Sequence, residues 1–435
     1  MLDLFDPTTR TPLERHALGD CCAVWVGSAG DGSIEWPEID GIPYLRVGRE
    51  ELRRRVVGLL REGDVITARA ELLRDQDDFA RQPPPTLEEA KAISRDEPAT
   101  FREAMRRLEY GSVAHYFAHR TSTPTFLSGL ALLAFAGLGV RVLEVCCGAG
   151  HFLRHLSQRS VHGTAWMDDL RPGDPMRHVD LSIRGCGADV VWSKLWLARR
   201  YLDVPSDLVA CDAVAAPLPL ADNAFDIGFC HDAIYFLPEK ETFLGELRRL
   251  SGGLLIGHAH NRLADHGDVA GTPLSPTEYA AIAAPEARFS DDAHAARVVA
   301  GLARHPGPFV AEDNLGSQPR EQADQFDRSE AIAWVEFNRD DRSGRGEPLG
   351  DVGFSAMHPY RTLRLNPLLV ERDGQLVPDW PEERFAVEYA DADYLTGPIP
   401  TDQQIARAEA GDWADDPAMR DFVARRTFID LPERW

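Results

Sequence analysis

The chain has 435 residues, 44% hydrophobic and 27% charged, with 70 acidic against 47 basic side chains and a net charge of −23. That length predicts two or three domains with ample core, and the negative charge speaks against nonspecific attraction to nucleic-acid backbones or anionic membranes. Seven cysteines without a C-x-x-C pair predict reduced thiols, not a disulfide framework or a zinc site. The first residues, Met1-Leu2-Asp3-Leu4-Phe5-Asp6, lack a basic n-region and an apolar h-region, so no signal peptide is expected and a cytoplasmic location is. The longest apolar stretch, 126–140, is shorter than the roughly 20 residues of a membrane span and reads as a core helix leading into a strand.

In chain order, residues 1–80 read as a small N-terminal accessory unit. Asp40-Gly41 followed by Pro43 supplies turn chemistry before a short apolar strand, and Leu52 to Leu73 reads as one amphipathic helix. Pro83-Pro84-Pro85 is the clearest linker. Thr86 with Glu89 three residues on predicts a helix N-cap. Helices follow over Phe101 to Tyr110 and Pro124 to Leu138, the second apolar almost all round, with Thr123 as its cap and Pro124 as its first residue.

Val140 to Val145 is an apolar run of the kind that forms a buried parallel strand. Glu144 stands near its end, Gly148 and Gly150 follow, and Phe152, Leu153 and Leu156 take up helical spacing. Strand, glycine turn and helix N-terminus make a nucleotide-sized crevice at the carboxyl edge of a doubly wound sheet. A dinucleotide fingerprint would need a third glycine where Leu153 stands, and a P-loop would need a nearby lysine. Glu144-Val145-Cys146-Cys147-Gly148-Ala149-Gly150 instead resembles the first motif of class I S-adenosylmethionine (SAM)-dependent methyltransferases, with Cys146 in place of the first glycine.

Further landmarks of that family follow in order. Gly187-Ala188-Asp189 with Leu195-Trp196-Leu197-Ala198-Arg199 resembles its second motif, and on that match 160–182, which contains the competing acid Asp168, is an insertion. Asp212 closes a third apolar strand, Phe225 to Cys230 forms a fourth, and Leu254-Leu255-Ile256-Gly257 a fifth. The resemblance implies an α/β fold: a doubly wound, mostly parallel, seven-stranded Rossmann-like sheet, with SAM as cofactor. It implies that residues 86–262 are the SAM-binding core and that 263–435 completes the sheet and covers the substrate site. Glu144, Cys146, Gly148 and Gly150 would hold the amino-acid end of SAM, Asp189 the ribose, and Asp212 with Ala213 the adenine; Cys230 and Tyr110 would complete the pocket. The Asp-Gly-Ile-Pro turn at 40–43 is similar to the end of a zinc-ribbon-like segment preceding some methyltransferase domains, here without the metal ligands because Cys21 and Cys22 are adjacent.

Methyl transfer to oxygen or nitrogen needs a group to take the acceptor's proton, and histidine titrates near neutral pH. His258 and His260, at the end of the fifth strand, are the first candidates, and His231, at the end of the fourth, is the next. If the strand continues, alternation puts His258 and His260 on one face. Cys146 and Cys147 read as packing residues in the turn, with no base beside them to make a nucleophile. His115 and His119 stand at i, i+4 without an evident third ligand, so no metal is expected. The expectation is a methyltransferase acting on a small molecule, with neither nucleic acid nor membrane as partner and a homodimer open to it. Two alternatives keep the same fold: transfer of the aminocarboxypropyl chain of SAM, or a non-catalytic partner protein.

Overall fold

The computed structural model describes residues 2–29, 32–77, 82–108, 112–133, 135–136, 140–163, 183–214, 217–264, 271–299, 318–337, 362–390, 392–413 and 415–435. The N-terminal part is an antiparallel meander of β1 (Glu14–Ala17), β2 (Cys22–Ala29), β3 (Gly32–Ile39) and β4 (Ile42–Pro43). Asp40 and Gly41 close β3 onto β4 with φ of 55° and 71°, the two positive values that a type I′ hairpin needs. The meander is joined to the rest of the chain. Leu45 N–H donates to Ala210 O at 2.7 Å, Arg69 grips both oxygens of Asp40, and Trp196 Nε1 donates to Asp40 Oδ2.

The single helix expected over Leu52 to Leu73 is two, α1 (Glu50–Arg61) and α2 (Val65–Leu73). Asp64 starts the second by accepting from Thr67 N–H, a local cap that outcompetes helix continuation through Gly63. Beyond the proline linker come α3 (Leu87–Ser94), capped by Thr86 as the sequence predicts, α4 (Phe101–Arg107), α5 (Ser112–His119) and α6 (Pro124–Leu133). Residues 125–133 of α6 are all buried, which is why that helix lacks a polar face. Thr123 does not cap it with its hydroxyl, which donates back to Arg120 O.

The central sheet alternates with helices in chain order: β5 (Arg141–Val145), α7 (His151–Gly163), β6 (Arg184–Asp189), α8 (Trp192–Tyr201), β7 (Asp207–Ala210), β8 (Phe225–His231), α9 (Lys240–Leu250) and β9 (Ser251–His260). After α10 (Pro276–Ile282) come β10 (Arg288–Asp291), α11 (Asp292–Val299), β11 (Gln318–Pro319) and β12 (Ala331–Phe337). The spatial order is β11-β10-β12-β9-β8-β5-β6-β7. The five strands from β7 to β9 are parallel, and β12 is antiparallel between β9 and β10. Seven strands thus form the expected sheet, and the two-residue β11 adds an edge. The order reverses at β5, with β6 on one side and β8 on the other, so the switch point lies directly above Glu144 to Gly150. The C-terminal region returns to this sheet: the helix Glu383–Glu388 brings Phe385 and Tyr389 into the same core as α6.

Candidate active site

At the cofactor side, the turn after β5 is built from three left-handed residues: Cys146, Gly148 and Gly150, with φ of 60°, 53° and 72°. Cys146 occupies the position where the motif usually has glycine and adopts the backbone a glycine would, at a strain of about 1–3 kcal/mol. Asp189 ties the turn to the end of β6. Its Oδ2 accepts from Gly148 N–H at 2.8 Å and its Oδ1 from Val191 N–H at 2.9 Å. Asp212 Oδ1 accepts from Val214 N–H, which fixes the carboxylate just past β7. Ala213 and Cys230 are buried in one core cluster, and Cys146 packs against it. Glu144 is buried, its Oε2 has no hydrogen-bond partner among the described residues, and burial raises its carboxyl to about 8. Phe117 of α5 lies over the turn: a Cβ on Gly148 would come within 2.5 Å of its ring. Tyr110 lies outside the described residues, as do Asp168 and most of the insertion.

The acceptor side, over β8 and β9, is a buried polar cluster. Asp232 follows β8 in a left-handed conformation. Tyr235 OH donates to its Oδ1 at 2.8 Å, Tyr116 OH donates to its Oδ2, and Arg120 Nη1 stands 3.3 Å from that oxygen. Burial opposes its charge, but the surrounding histidines and Arg120 hold the carboxyl well below the usual range. β9 carries a bulge here. Ile256 pairs with Trp334 and Ala259 with Ile332, so Gly257 and His258 together oppose Ala333. Within the bulge His258 takes φ 47°, which frees its backbone N–H, and Asp292 at the start of α11 accepts both that N–H at 3.1 Å and ring Nδ1 at 2.8 Å. Nε2 faces the other way, 3.9 Å from Asp232 Oδ1 and 3.9 Å from Glu388 Oε1. Burial works against a charged ring, yet Asp232 and Asp292 outweigh it and raise His258 to about 10.

His258 and His260 do share a face, with ring centroids 4.8 Å apart, and His260 Nδ1 is 3.8 Å from Glu330 Oε1. The structure takes His231 out of the base role. Its Nδ1 accepts from Arg120 Nη2 at 2.8 Å, and its Nε2 bonds Ser128 Oγ at 3.2 Å. Burial and then Arg120 push its pKa down to about 3, so it is a neutral ring with both nitrogens engaged. His119 is buried against the edge of Trp435, whereas His115 is exposed. Sequence reading missed Arg120, Asp292, Glu330 and Glu388. Only Asp292 left a signal, as an acid at a helix start, where it reads as a helix-capping residue.

Residues 181–257 match a methyltransferase domain family, a stretch that runs from before β6 to the bulge in β9. No curated protein matches the chain. Among solved structures it is similar to a SAM-dependent methyltransferase from Aquifex aeolicus, at 22% identity over 34% of this chain and 70% of that one, with a TM-score of 0.23. It is also similar to a TehB-like SAM-dependent methyltransferase from Corynebacterium glutamicum, at 16% identity over 49% and 88% of the two chains, with a TM-score of 0.29. A third is the cyclase SpnF, at 18% identity over 48% and 78%, with a TM-score of 0.30. The sheet order and the domain match define a class I methyltransferase fold. Residues 181–257 thus carry part of a methyltransferase domain, on a sheet with the order of that fold. Among the described residues, no helix is long and apolar enough to cross a membrane.

Proposed function

We propose that this enzyme transfers the methyl group of SAM to an oxygen or nitrogen of a small molecule, with the acceptor's proton drawn off by the cluster centred on His258. The observation that carries the reading is the placement of two unlike sites on adjacent strand ends: a left-handed turn at β5 and a histidine on β9 held by Asp292 with Nε2 facing other polar groups.

SAM supplies a methyl group already activated by its sulfonium, so the protein's task is alignment. The residues present fit SAM. The buried Oε2 of Glu144 has no hydrogen-bond partner among the described residues, and the cofactor's ammonium would supply one; the turn's backbone and the start of α7 suit its carboxylate. Asp189 would accept from the ribose hydroxyls with lone pairs beyond those used by Gly148 and Val191, and Asp212 would accept from the adenine amino group. The acceptor's lone pair forms the bond to the methyl carbon as the carbon–sulfur bond breaks. S-adenosylhomocysteine would be left, and the proton would go to a carboxylate of the cluster, Glu388 beside the charged His258 ring. A net charge of −23 favours a small acceptor over nucleic acid.

Calorimetry with SAM tests the reading. Saturable binding is expected, weakened about tenfold or more in Asp212→Ala through loss of a charged hydrogen-bond acceptor. No detectable heat at millimolar SAM would sink it. Incubation with a panel of hydroxylated and amino compounds should yield S-adenosylhomocysteine; methylthioadenosine instead would mean aminocarboxypropyl transfer.

A further inference from the structure

We infer that the buried cluster at the ends of β8 and β9 is a divalent-cation site, with His258 Nε2, His260 and Asp232 as its core ligands and Glu330 and Glu388 completing the shell. The donor atoms of Asp232, His258 and His260 all lie within 4.8 Å of one another, and so do those of His258, Glu330 and Glu388. His258 belongs to both sets.

The geometry around His258 distinguishes this from an ordinary ion-pair network. Its Nε2 is buried and has no hydrogen-bond partner among the described residues. A neutral ring with its Nδ1–H on Asp292 would set an Nε2 lone pair opposite two carboxylate oxygens at 3.9 Å, a repulsive arrangement. A doubly protonated ring would instead bury an N–H whose two acceptors are both beyond hydrogen-bond reach. A cation among these atoms resolves both conflicts. It accepts the lone pair and stands between it and the carboxylate oxygens. Metal–ligand bonds of about 2.0–2.2 Å put neighbouring donors about 3–3.5 Å apart, so the donor atoms, now within 4.8 Å of one another, would close in by up to about 1.8 Å.

Asp292 completes the pattern. A carboxylate on the far nitrogen of a ligating histidine fixes the tautomer and aims the ring. Tyr235, Tyr116 and Arg120 fix Asp232 in the same way. Two imidazoles with carboxylates suit a first-row ion such as Mn²⁺ or Zn²⁺ better than Mg²⁺ or Ca²⁺, which favour all-oxygen shells. The catalytic consequence rests on the methyltransferase reading, although the binding does not. The ion would hold an acceptor oxygen and lower the pKa of its hydroxyl, whose proton would leave to a carboxylate of the cluster, with His258 serving as a ligand. That favours acceptors presenting a hydroxyl, above all one with a second oxygen adjacent to chelate the ion.

The test is titration of the EDTA-stripped full-length protein with Mn²⁺, followed by calorimetry and by the electron paramagnetic resonance signal of the free ion, with Zn²⁺ as a second probe. One ion per chain is expected at micromolar affinity. It should weaken at least thirtyfold in His258→Gln and at least tenfold in the isosteric Glu388→Gln, while both variants bind SAM as the parent does. Binding of neither ion at millimolar concentration overturns the inference, as does binding that both substitutions leave unchanged. SAM binding without metal binding would leave the proposed function standing and remove the site. Metal binding without SAM binding would do the reverse.

Discussion

The two halves of the sheet's carboxyl edge are built on different principles. Over β5 to β7, the chain's own backbone makes the site: positive-φ residues, N–H groups and carboxylates tied to neighbouring N–H groups. Over β8 and β9, side chains make it: carboxylates, imidazoles, an arginine and tyrosines packed out of water, with little backbone involvement beyond the bulge. A backbone site tolerates variation in side chains, as Cys146 in a glycine position illustrates, because conformation is what the ligand meets. A side-chain site is tuned by partners that must all be present, since each buried charge depends on the others.

If that contrast is right, the halves respond separately to substitution. The largest effect expected is at Asp292. Asp292→Asn leaves shape intact but loosens His258, and methyl-transfer turnover should fall at least a hundredfold while SAM affinity changes less than threefold. An equal loss of SAM affinity would show that the two halves are one site. Gly148→Val should act the other way. The new side chain strikes Phe117 and is strained at φ 53°, so SAM affinity, measured by calorimetry, should drop thirtyfold or more, with melting lowered by several degrees.

A smaller, graded effect belongs to Glu144. Its carboxyl is raised to about 8, so between the ordinary value of 4.5 and about 8 the folded chain keeps a proton that the unfolded chain has lost. Stability therefore falls as pH rises through that window, by up to about 1.4 kcal/mol per pH unit for this group. In denaturant titrations at pH 5 and 7.5, Glu144→Gln should remove that part of the slope. Glu330, also raised to about 8 by burial, should keep its own part. The smallest effect is expected for Cys146→Gly, which relieves the left-handed strain but loses the thiol contact with Cys230. Melting should shift by no more than a few degrees and SAM affinity should be unchanged; a large loss of affinity would mean that the Cys146 side chain, not its backbone, meets the cofactor.

The parallel strands and the turn were legible because they are local. Buried parallel strands are apolar runs, and a left-handed turn calls for glycine at particular offsets. The pairing of His258 with His260 followed from alternation, although the bulge that lets Asp292 reach His258 did not. His231 looked available because sequence cannot show that Arg120 and Ser128 take both its nitrogens. The split between α1 and α2 turned on one capping side chain, Asp64, inside an otherwise continuous apolar pattern.

The sequence by itself determined the β5 to β7 half of this edge, from Glu144 to Asp212, since each of its residues is set by the strand or turn in which it stands. Tertiary structure alone decided the other half. Arg120, Asp232, His258, Asp292, Glu330 and Glu388 come from a turn, two strand ends, a helix start, a strand approach and a C-terminal helix. No period or spacing links them, because what brings them together is the burial of α6 and Tyr389 against the sheet, a packing event that no local pattern records.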